Sequence, residues 1–62
     1  MGTETVHRQL LLRPEEAAEV LAIGRTAVFG LIRAGELRSV KIGKLRRIPA
    51  DALDDYVARL TA

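Results

Sequence analysis

Only Ala22, Ile23 and Gly24 separate two segments with helical apolar spacing, and this short gap constrains the chain more than any other feature. The first segment opens at Pro14, the favoured first helical position, and Glu15 and Glu16 suit the positive end of its macrodipole. Ala17, Val20 and Leu21 recur at i, i+3 and i+4, which predicts one buried stripe with Ile23 closing its end. In the second segment, Arg25 to Arg33 or Ala34, Val28, Leu31 and Ile32 form the stripe, Gly24 can cap the start and Gly35 stops it. A link this short allows no long excursion, so the helices must meet at a steep angle, as in a helix-turn-helix.

Beyond Gly35, Val40 and Ile42 alternate with Lys41, Gly43 and Lys44 supply turn chemistry, and Arg46, Arg47 and Ile48 resume the alternation. This predicts a short hairpin with basic residues at and near its tip. Pro49 ends the second strand and can open a last helix, in which Leu53, Tyr56, Val57 and Leu60 fall at i, i+3, i+4 and i+7. Met1 to Gln9 is polar and without period, a flexible leader, and Leu10 to Leu12 is either a short strand or a staple onto the first helix. The expected architecture is mainly α with a small β-hairpin: helix, helix, hairpin, helix, in one domain over 10–62.

At 62 residues the chain buries only about 60% of its unfolded surface. It has no cysteine, so neither a disulfide nor a thiolate metal site can staple it. The apolar run Leu10–Leu12 is too short to span a bilayer, and the N-terminus lacks the order of a signal peptide, which points to an intracellular protein. The formal net charge of +2 conceals a block. Arg25, Arg33, Arg38, Lys41, Lys44, Arg46 and Arg47 face only Glu36 between Ala22 and Ile48, while both flanking segments are net acidic. A polyanion would be drawn to the middle of the chain, as in a nucleic-acid binder; a merely solvated basic face is the bland alternative.

Catalysis finds little support. Tyr56 could suggest a nucleophile, but its place in the last stripe makes it a core residue. Asp54 and Asp55 are neighbours on a helix and point about 100° apart, so they do not converge on a metal. His7 is alone in the leader, and no phosphate loop, His/Cys cluster or serine–histidine pairing occurs. No enzyme activity, cofactor, metal or small-molecule substrate is expected.

DNA reading fits better, because the major groove accepts one helix whose first turns carry base-contacting side chains. Arg25 could fork onto a guanine edge or hold a phosphate, and Thr26 could touch either through its hydroxyl. Phe29 lies off the buried stripe, either as a wedge against sugars and base methyls or as a cover for the hairpin. Gly30 costs roughly 1 kcal/mol in a helix interior relative to alanine, and reflects either close approach of DNA or another element, or simple tolerance. Arg33 suits a phosphate, with an ion pair to Glu36 as the structural alternative. On the hairpin, Lys41, Gly43, Lys44, Arg46 and Arg47 form a narrow basic wing that can reach the backbone or an adjacent minor groove.

The ordered set Leu12-Arg13-Pro14-Glu15-Glu16-Ala17-Ala18-Glu19-Val20-Leu21, Val28-Phe29-Gly30-Leu31-Ile32-Arg33-Ala34-Gly35-Glu36-Leu37, Val40-Lys41-Ile42-Gly43-Lys44 and Arg47-Ile48-Pro49 resembles the excisionase-type helix-turn-helix domain, a winged-helix relative of the MerR DNA-binding head. The resemblance covers about residues 11 to 60. It implies a recognition helix at Arg25 to Arg33 and a wing at Lys41 to Arg47. It further implies a recombination directionality factor of a phage or integrative element, acting in the bacterial cytoplasm at the nucleoid. Such a protein binds repeated sites on double-stranded DNA beside an attachment site, bends them, contacts neighbouring copies of itself and assists a separate integrase. The alanine- and arginine-rich composition suits a GC-rich host. The chain departs from the family pattern at Arg13, Ala22 and Gly24, where serine or threonine, glycine and serine are usual. It also departs at Gly30, where a polar reading residue is common, and at Arg46, where the wing usually carries an aromatic. A small transcriptional regulator using the same surface, and an adaptor whose basic face binds an acidic protein, are the rival readings.

Overall fold

A computed structural model describes residues 10–62. The leader over 1–9, His7 included, lies outside the described residues. The elements run β1 (Leu11–Leu12), α1 (Pro14–Leu21), α2 (Arg25–Arg33), β2 (Val40–Ile42), β3 (Leu45–Pro49) and α3 (Ala50–Thr61). This is the winged helix-turn-helix order, with a short N-terminal strand added.

Local chemistry sets each boundary. Arg13 precedes α1 without a side-chain cap; instead its backbone N–H donates to Glu16 Oε1 at 2.8 Å, so the third helical residue satisfies the start. At the other end Ala22 adopts the left-handed conformation (φ 59°, ψ 41°). The Ala22 N–H donates to the Glu19 carbonyl and the Ile23 N–H to the Ala18 carbonyl, the paired bonds of a Schellman cap. Helix α2 ends the same way, with Gly35 at φ +79° and the Gly35 and Glu36 amides bonded to Ile32 and Leu31. The hairpin turns through Gly43 and Lys44 with positive φ at Gly43 alone, the demand of a II′ turn whose twist matches the strands.

The sheet has the order β1-β3-β2, all antiparallel. Leu12 pairs with Ile48, and the Ala50 N–H donates to the Leu10 carbonyl at 2.9 Å, so the segment preceding α1 is sewn to the junction of β3 and α3. Of the run Leu10 to Leu12, Leu11–Leu12 is therefore a strand. One core joins Leu12, Ala17, Ala18, Val28, Leu37, Ile48, Ala52 and Leu53, with Leu21, Leu31, Ile32, Ala50 and Tyr56 packed around it. The buried alanines on α1 and α3 let these elements approach closely around Ile48.

Four residues expected on buried stripes are solvent-facing: Val20, Ile23, Val57 and Leu60 are all exposed. On α1 the buried face centres on Pro14, Ala17, Ala18 and Leu21, and Val20 lies about a third of a turn away from it. Leu60 shares a helical face with Leu53 and Tyr56, but the last turn of α3 runs beyond the elements that could cover it, since the buried residues of this helix are Ala52 and Leu53. Leu37, placed in no stripe by the sequence reading, is 2% exposed and anchors the link from α2 to the wing.

Candidate nucleic-acid interface

Helix α2 begins with Arg25 and Thr26, both exposed in the first turn, and Gly24 caps them without a side-chain acceptor. Arg25 is not a free chain. Its Nε lies 3.4 Å from Glu15 Oε2 on α1, and its guanidinium carbon stands 4.9 Å from the centroid of the Phe29 ring one turn along α2. Both partners of the ion pair are more than half exposed, so its contribution to stability is within about 1 kcal/mol. What it fixes is direction.

Phe29 is half-buried yet is not among the residues packed on the core. It lines an open groove of about 610 Å³ with Ile32 and Arg33 of α2, Leu37 to Ser39 of the connection, and Arg46 of the wing. The groove thus brings α2 and the wing to one side of the molecule. At Gly30 no atom beyond its chain neighbours and the backbone of its own helix lies within 4 Å of where a Cβ would stand, which removes close packing against another part of the described chain as its reason. Arg33 is exposed and makes no ion pair among the described residues; Glu36, its sequence alternative, instead accepts at its backbone carbonyl from Arg59 Nη2.

Strand register sorts the wing cations. Lys41 is paired with Arg46, and Arg46 shares a face with the buried Ile48 two residues on, so both project on the side of the groove. Arg46 Nη1 donates to Ser39 Oγ at 2.9 Å, which leans its guanidinium toward the groove's lining. Arg47 is paired with Val40 on the reverse face, alongside Ile42 and Leu45, and its Nη1 donates to the Arg46 carbonyl at 2.9 Å. Gly43 and Lys44 form the exposed tip.

Arg38 belongs to the basic block and lines this groove, but its guanidinium turns to α3. It lies 3.7 Å from Asp51 and 3.4 Å from Asp55, so α3 holds it and neutralises it. Asp55, read from the sequence only as a helix neighbour of Asp54 that does not converge with it on a metal, is exposed and ion-paired. Tyr56 packs against the core as expected, with Arg59 5.9 Å above its ring. Glu15 and Ser39, which orient Arg25 and Arg46, were invisible in the sequence because each contact joins residues brought close only by folding. Among the described residues no cluster could hold a metal ion, and no helix is long and apolar enough to cross a membrane.

Residues 11–61 match the family described as the helix-turn-helix domain. A Saccharopolyspora erythraea protein named "Probable excisionase" is 56% identical over 54 residues, covering 87% of this chain and 55% of its own length. A Streptomyces ambofaciens protein named "Excisionase" is 45% identical over 53 residues, covering 86% of this chain and 84% of its own. The magnetosome protein MamR of Paramagnetospirillum magneticum is 41% identical over 44 residues, 71% of this chain and 52% of its own. The chain thus spans about half the length of two of these relatives and most of the third. No solved structure matches it significantly.

Proposed function

Because the chain belongs to the helix-turn-helix domain family, we propose that it is a sequence-specific DNA-binding protein of the excisionase type. In this reading α2 enters the major groove, Arg25, Thr26, Phe29, Gly30 and Arg33 face the bases and their phosphates, and Lys41, Gly43, Lys44 and Arg46 of the wing reach the adjoining backbone or minor groove. Arg47, on the wing's reverse face, makes no direct phosphate contact in this reading. The protein binds repeated sites beside an attachment site with neighbouring copies of itself, bends the DNA, and so helps a separate integrase to excise an element. Its role is architectural: binding energy shapes the duplex, and the integrase performs the strand chemistry.

The observation that carries the DNA reading is the groove in which Arg33 of α2 and Arg46 of the wing line one surface beside Phe29. Cations from two elements on one side suit a phosphate backbone. The excision reading is supported by the Streptomyces relative, whose printed name is excisionase and most of whose length this chain spans. The test is a recombination assay with a candidate integrase from the same genome and both attachment-site halves. Excision that requires the added protein is expected; equal recombination without it would remove the excision role and leave DNA binding to be judged separately.

The similarity to MamR, whose printed name does not mention excision, favours a second reading, a small transcriptional regulator using the same surface. A reporter driven by the promoter next to the bound site separates the two readings.

A further inference from the structure

We infer that Arg25 and Phe29 act as one unit that reads a guanine together with the methyl group of an adjacent thymine; the inference rests on the DNA-binding reading above. Arg25 is held from two sides before any ligand arrives. Glu15 lies 3.4 Å from its Nε and the centroid of the Phe29 ring 4.9 Å from the guanidinium carbon, and with no other side-chain partner among the described residues its two terminal amino groups can serve as a fork. Guanine is the base whose major-groove edge offers two acceptors, O6 and N7, to such a fork.

The ring then falls beside the neighbouring base pair. Successive base pairs are about 3.4 Å apart along the duplex, and a ring whose centroid lies 4.9 Å from the guanidinium carbon can reach the base pair next to the guanine. An aromatic ring accepts and donates no ordinary hydrogen bond, so pressing it against adenine, cytosine or guanine would strip water from a polar edge without return. The C5 methyl of thymine is the one apolar group on a major-groove edge, and phenylalanine matches it. Two further observations agree. Phe29 is half-buried without belonging to the core, so packing does not account for an aromatic there. The next residue is Gly30, which has no side chain to hold a base edge away from the ring.

The test starts from duplexes selected by the protein out of a random-sequence library. The selected sites should contain a guanine with thymine at an adjacent base pair. Replacing that thymine by deoxyuridine removes only the methyl and should weaken wild-type binding about fourfold, the worth of one buried methyl. A 5-methylcytosine at that position should bind more tightly than cytosine. Phe29→Ala, shown to be folded by circular dichroism, should bind the thymine and deoxyuridine duplexes equally, and Arg25→Ala should lose the preference for guanine. Equal wild-type affinity for the thymine and deoxyuridine duplexes, or selected sites without this step, would overturn the inference while DNA binding stood. Failure to enrich or bind any duplex would overturn both.

Discussion

Lys41 and Arg46 stand directly opposite each other across the β2–β3 ladder, two cations on the same face of a hairpin. Like charges placed so are destabilising, whereas an opposite pair contributes roughly 0.2–1 kcal/mol. The wing therefore carries a local conflict in the free protein, and bound phosphate would relieve it. Lys41→Glu replaces the repulsion by attraction, so we expect a higher melting temperature together with weaker DNA binding. Thermal denaturation and a mobility-shift titration on the same sample check the two signs; a variant that changed both in the same direction would place the wing elsewhere.

Arg25, Arg33, Lys41, Lys44 and Arg46 are the cations assigned to the DNA side. Neutralising about five phosphates predicts that log K falls with log salt at a slope of roughly −4 to −5. Lys44→Ala should make this slope shallower by about 0.9. Arg47→Ala, on the reverse face, should leave it nearly unchanged. Titrations at four salt concentrations distinguish the two variants, and an equal loss from both would contradict the face assignment.

Ala22 closes α1 in a conformation that suits glycine, at φ 59°. A Cβ there costs roughly 1–2 kcal/mol, partly offset by the larger unfolded-state entropy that glycine would bring. We expect Ala22→Gly to stabilise the protein by about 0.5–1 kcal/mol in urea denaturation, with unchanged DNA affinity. A destabilised variant would show that the alanine methyl contributes packing worth more than its strain.

Gly30 presents the opposite case. Its helical position is unencumbered within the protein, so Gly30→Ala should raise stability by up to about 1 kcal/mol through helix propensity alone. If α2 reads DNA as proposed, the same methyl would project toward the bases, and we expect specific binding to fall by at least several-fold. Greater stability with full binding would show that this glycine is merely tolerated.

The helices and the hairpin were legible because they are local. Pro14 starts α1, Gly35 ends α2, Gly43 turns the hairpin and Pro49 closes β3, and each acts through dihedral preferences or backbone bonds within a few residues. The basic block between Arg25 and Arg47 was legible for the same reason. Burial was read less well: the spacing that put Val20 in a stripe did not know where the facing elements would lie, and Leu60 has the correct phase with nothing opposite it.

The sequence by itself thus determined the order of elements, their ends and the concentration of positive charge, all properties of neighbours along the chain. Only the tertiary structure decided which cations share a surface. The pairing register turned Arg46 toward the groove and Arg47 away, because side chains on a strand alternate between faces. Packing of α3 against the connection gave Arg38 to Asp51 and Asp55, and the crossing of α1 and α2 brought Glu15 to Arg25. These pairings span 10 to 17 residues of sequence, and their geometry exists only once the core around Val28, Leu37 and Ile48 has closed.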